Sequence, residues 1–169
     1  MIESAKRFPA IPVPAIGDYW RGEGGLYAGI MPDYTGNRPY HLIVSADEAV
    51  GVSWGGHSRT EDRARSQHDG DANSKALTQC PHPHPAARWA TSYRKDGHGD
   101  FHLPARRELD VAMAALPEHF TASDWYWSST DRTTERAWGR TNNVSALTDM
   151  YKTFEGRARA VRRIFVPQG

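Results

Sequence analysis

Two β-rich runs open the folded part of the chain. Leu26-Tyr-Ala-Gly-Ile-Met31 and Tyr40-His-Leu-Ile-Val44 flank a stretch of turn formers from Pro32 to Pro39, which predicts a hairpin with a long loop. Ser45-Ala-Asp-Glu48 follows as a turn, and Val50-Gly-Val-Ser-Trp54 as a short third strand. Ahead of them, Phe8, Ile11, Val13 and Ile16 alternate with Pro9, Pro12 and Pro14. Each proline fixes φ and biases its predecessor to the extended region, so residues 1–24 are expected as an extended arm. That arm reads either as a frayed terminus or as a partner-binding segment lying on a neighbouring subunit. Residues 57–75 hold no Val, Ile, Leu, Phe, Tyr or Trp, so a helix there would have no apolar stripe and would be solvated or absent. A short helix fits Ala72 to Gln79, and the run Cys80-Pro-His-Pro-His-Pro85 then stops it. The chain therefore divides into an arm, 1–24, and a domain, 25–169, with an irregular insertion over 55–99.

The clearest helix lies within 103–116, where Leu109, Met113 and Leu116 fall at i, i+4 and i+7, and Pro104 suits its first turn. Three strand signals follow: Trp125-Tyr-Trp-Ser-Ser-Thr130, Arg136-Ala-Trp-Gly-Arg140 and Ala158 to Val166. Period two puts Trp125 and Trp127 on one face. Trp127, Trp138 and Leu109 are expected in the core. Trp125 and Tyr126 fit core packing or ligand stacking, since alternate residues face opposite sides. With Arg140, Asn142, Asn143 and Tyr151 they form the candidate ligand-binding set.

Composition changes this picture in two ways. Over 169 residues the hydrophobic fraction is only 38%, yet aromatics are 11% with six Trp and seven Tyr. Disordered chains are poor in aromatics, so the mean hydropathy of −0.70 points to a loop-rich fold with a small aromatic core. The net charge of +1 supplies no global field for nucleic acid, and no nucleic-acid partner is expected. No apolar run is long enough to span a membrane, and the N-terminus has no apolar stretch of a signal peptide.

The only cysteine, Cys80, excludes an intrachain disulfide. With His82 and His84 it offers thiolate and imidazole, ligands that suit zinc. Spacing of i and i+2 in an extended run points the two imidazoles apart, and no second ligand pair follows, so neither a metal nor another cofactor is expected. Asp69-Gly-Asp-Ala-Asn-Ser74 begins like a calcium loop but has Ser74 and Cys80 where the template needs Gly and Glu. Asp96-Gly-His-Gly-Asp100 is a similar weak cation candidate. Ser128 or Ser129 with a histidine could be imagined as a hydrolytic pair, but no nucleophile elbow supports it and no phosphate loop is present, so no enzyme is expected. Arg157, Arg159, Arg162 and Arg163 read as a solvated strand face with ion pairs, or as a holder of an anionic partner.

Three motifs occur in order: "FHLPARRELDVAMAAL", "DWYWSSTDRTTERAWGR" and "RARAVRRI". Together they resemble a domain of unknown function widespread in bacterial surface proteins and tailed bacteriophages. Its signature is a W-R-L-P-T-x-x-E-L helix start, a Y-W-S-S-T strand and a C-terminal R-x-V-R strand. Phe101-His102 stands where that family usually has Trp-Arg. The family looks like a relative of the C-type-lectin-like and formylglycine-generating-enzyme folds. The resemblance implies an α+β, C-type-lectin-like fold with short antiparallel sheets, one or two helices and long loops. It implies a non-enzymatic virion protein of the tail or tail fibre, used for host-surface recognition, with own copies (a homo-oligomer), other virion proteins, or a host glycan or lipopolysaccharide as partners. A purely structural assembly role through the arm, and a bacterial surface carbohydrate-binding module, are the alternatives. The formylglycine-generating relatives use two cysteines on copper, so that activity is excluded here.

Overall fold

The computed structural model describes residues 12–32, 34, 38–142 and 148–167. Phe8, Ile11 and Asn143 lie outside the described residues. The fold is α+β: a seven-stranded mixed sheet with three helices. The strands are β1 (Tyr19–Trp20), β2 (Gly25–Met31), β3 (Tyr40–Val52), β4 (Trp125–Asp131), β5 (Arg136–Thr141), β6 (Asp149–Tyr151) and β7 (Gly156–Phe165). Their order across the sheet is β1-β2-β3-β7-β4-β5-β6. Every pairing is antiparallel except β4 with β7, which run parallel through Tyr126 and Arg157.

Helices α1 (Gly70–Gln79) and α2 (Pro85–Ser92) belong to one apolar cluster with Trp54, Phe101, Leu103, Trp125 and Trp127. Helix α3 (Arg106–Ala115) belongs to another, in which Leu109, Ala112, Met113 and Leu116 meet Leu42, Val44, Tyr126 and Val161. Because strand side chains alternate, Trp125 and Trp127 enter the first cluster and Tyr126 the second. Both faces of β4 are therefore covered, and all seven of its residues are buried.

Several expectations are corrected. β3 runs unbroken through the turn predicted at Ser45–Glu48, absorbing it as a register shift between Val44 and Glu48. The sheet begins inside the predicted arm: Trp20 pairs with Gly25 and is buried. Val13 and Ile16 are exposed. The insertion 55–99 is not irregular throughout, since it holds α1 and α2. Helix α1 turns Leu77 into the core as expected, and buries polar residues beside it. Asn73 donates to the Ser66 carbonyl at 2.8 Å, and Ser74 to the Leu103 carbonyl at 3.2 Å. Pro85 does not merely stop a helix; it starts α2, at a position where a missing N–H costs nothing. Pro104 lies just ahead of α3, not inside it.

Candidate functional site

Strand β5 makes a surface of its own. Ala137 and Gly139 point inward, and Gly139 must lack a side chain because a Cβ there would lie 2.4 Å from the Trp125 ring. Arg136, Trp138 and Arg140 alternate with them and are half-exposed. Trp138 is thus not a core residue, which corrects the expectation. It shares its side of β5 with Arg136 and Arg140, and among the described residues it joins none of the apolar clusters. Two guanidinium groups lie over its indole instead, Arg106 at 3.7 Å and Arg132 at 4.2 Å from the ring centroid. The negative π face favours such cations.

The cationic character extends along the strand. Arg136 lies 4.2 Å over the ring of Tyr151, which is 48% exposed on β6. Arg140 pairs with Asp110 of α3 at 3.1 Å, and Arg107 with the same carboxylate group at 3.4 Å. Arg132 and Arg136 share Asp149. Five guanidinium groups thus face two carboxylates. Burial, with the neighbouring charges of Arg107, Arg132 and Arg140, holds the Arg106 guanidinium below its ordinary value, against the pull of Asp110. It stays cationic.

The other predicted ligand residues are placed differently. Trp125 and Tyr126 are buried and cannot stack on a ligand. The Tyr126 hydroxyl donates to Glu48 and accepts from the Thr121 amide; burial and the hydrogen bond to Glu48 push it up to about 12, against the Thr121 amide. Asn142 spends its amide on the carbonyls of Pro117 and Phe120, at 2.7 and 2.8 Å. Of the described members of the set, only Arg140 and Tyr151 reach the cationic face. Arg106, Arg132 and Arg136 were missed, because arginines on three elements carry no local sequence signal.

The β7 arginines are not a solvated face. Arg157 pairs with Glu48 and Asp124, and Arg159 with Glu48. Arg162 pairs with Glu23 and Asp100, and Arg163 with Asp69. This central strand ties surrounding loops to the sheet, and its cations are spent. The calcium-like loop is spent too: Asp69 caps α1 through the Ala72 amide, and Asp71 pairs with Lys75. Asp96 accepts from Tyr19 and from the Gly24 amide, closing the β1 edge. Ser128 and Ser129 are fully buried, with the Ser128 hydroxyl donating to the Trp138 carbonyl; neither is placed to attack a substrate.

Two buried polar centres fasten the long loops. Glu108 accepts from the amides of Gly70 and Ala105 and from the Tyr40 hydroxyl, and its carboxylate lies 3.2 Å from His102. Burial pushes its carboxyl up, but His102, Arg163 and the Ala105 amide outweigh this and hold it below the usual carboxylate range. Lys152 and Asp131 form the second centre, a fully buried ion pair at 2.8 Å. The Lys152 amine also donates to the Arg59 carbonyl at 2.7 Å and sits 4.8 Å over Trp54.

Among the described residues no helix is long and apolar enough to cross a membrane. No family model matches the sequence, and no curated protein matches it.

Proposed function

We propose that this domain is a non-enzymatic recognition module of a bacteriophage tail or tail fibre, with a C-type-lectin-like fold, that attaches to the host by binding an anionic surface saccharide. The observation that carries the binding role is the β5 face: a half-exposed indole under two guanidinium groups, flanked by three more arginines and an exposed Tyr151. Guanidinium groups hold phosphate and carboxylate in bidentate fashion, and a flanking phenol ring gives a sugar a stacking surface. Acidic glycans and lipopolysaccharide phosphates carry both features. The phage setting rests on the three ordered motifs. The same face would serve a bacterial surface carbohydrate-binding module equally well.

A structural assembly role is the second reading. Val13, Ile16 and Ile30 are exposed, and Ile16 lies against Gly29 beside Ile30. These aliphatic residues would suit a second protein surface.

A glycan array probed with the full chain tests the binding role. Anionic saccharides should bind and neutral ones should not, with binding falling as salt rises. The double variant Arg132→Ala/Arg136→Ala should lose at least ten-fold in affinity, while Arg38→Ala, just ahead of β3 and bonded to the Val166 carbonyl, should not. Binding confined to neutral sugars, or untouched by the double variant, would overturn the assignment.

A further inference from the structure

The insertion 55–99 brings three metal-binding side chains together from distant places. Glu61 comes from the polar loop, Cys80 from the end of α1, and His84 from the residue that precedes α2. Their ligand atoms all lie within 4.8 Å of one another. The His84 Nε2 is 3.2 Å from Glu61 Oε1, and the Cys80 Sγ is 3.4 Å from that same oxygen. A tetrahedral zinc with ordinary bond lengths of ~2.0–2.3 Å separates its ligand atoms by roughly 3.3–3.6 Å. Two edges of the triangle are already close to that spacing.

The hydrogen bonding points the same way. The His84 Nδ1 lies 2.9 Å from the Trp54 carbonyl oxygen, which only accepts. Nδ1 therefore carries a hydrogen, and in the neutral ring Nε2 turns its lone pair toward a carboxylate, another acceptor. At 3.2 Å that pair is bridged by a proton on Nε2 or by a metal cation in its place. A backbone carbonyl on the far ring nitrogen is also how metal-ligating imidazoles are oriented. His84 is buried, so its ring is held in place. Gly56, in the left-handed region at φ +66°, covers the group: a Cβ there would stand 2.6 Å from the His84 ring and 3.3 Å from Glu61 Oε1.

We propose that Glu61, Cys80 and His84 bind one zinc ion that staples the polar loop to the start of α2. Thiolate, imidazole and carboxylate are all ordinary ligands of zinc. On binding, the Cys80 thiol gives its proton to solvent, and the two anionic ligands neutralise the ion's charge. Three protein ligands leave the fourth tetrahedral position to water. Beside the group lies a cleft of about 300 Å³ lined by Gly55, Gly56, His57 and His82. The zinc gives residues 57–75, which lack large apolar side chains, an anchor that burial cannot supply.

Titration of the metal-free full chain with zinc alone, followed by calorimetry, should show one equivalent bound with release of about one proton. Cobalt in its place should give the near-ultraviolet charge-transfer absorption of a thiolate–cobalt bond. Cys80→Ser should abolish that absorption and weaken zinc binding at least 100-fold, and Glu61→Gln should weaken it at least ten-fold. The mild Cys80→Ser change guards against loss of fold, which circular dichroism checks. Absence of stoichiometric binding, or full affinity in the folded Cys80→Ser variant, would overturn the proposal.

Discussion

Replacing Lys152 with methionine isolates the polar centre beneath the 55–69 loop. Lys152→Met keeps the aliphatic stem and removes the amine from a pair in which both side chains are fully buried. Breaking a buried pair from one side costs about 3–5 kcal/mol, because the remaining charge stays desolvated. Asp131 keeps the Glu61 and Arg132 amides as donors, which places the loss at the lower end. The Arg59 carbonyl also loses its donor, a further ~1 kcal/mol. The expected total is about 4 kcal/mol, read from urea unfolding with an unchanged m value. Adding Asp131→Asn should return at least ~1 kcal/mol relative to additivity. A loss below about 0.5 kcal/mol, the scale of surface substitutions, or strict additivity, would show that the two side chains are not a buried, coupled pair.

Glu108 predicts an acid limb in the stability profile. Its folded-state carboxyl is held below the ordinary value of 4.5, so the unfolded chain takes up the proton first. The stabilisation is complete above that ordinary value and is lost as pH falls through the lowered folded value. Glu108→Gln should cost about 3–5 kcal/mol near neutrality and flatten the acid limb; a limb parallel to that of the parent chain would contradict the assignment. Among the tryptophans, Trp127→Ala should cost about 3–5 kcal/mol as a buried truncation. Trp138→Ala should cost only about 1 kcal/mol, the scale of exposed cation–π contacts. Equal losses in equilibrium unfolding would show that the two indoles share one environment.

Local pattern found what local chemistry decides. Leu109, Met113 and Leu116 announced α3, and the aromatic runs announced β4 and β5. Tyr126 was ambiguous because alternation says which residues share a face, not whether a helix covers each face; here helices cover both. Trp138 failed for a different reason, since the side of β5 that meets α3 is lined with arginine in place of apolar groups. Helix α1 was half-legible: beside Leu77, its buried face is built from Asn73 and Ser74 hydrogen bonds, which a search for apolar periodicity passes over. β1 is two residues long, too short for any period. The Cys80 and His84 convergence was hidden because its third member, Glu61, lies 19 residues upstream of Cys80, in a stretch with no regular pattern.

The most direct test of the recognition role is a crystal structure of the full chain with a bound anionic oligosaccharide. Its acidic group should lie against Arg132 or Arg136, with a sugar ring beside Tyr151. A ligand seated elsewhere, with the β5 face bare, would contradict that role.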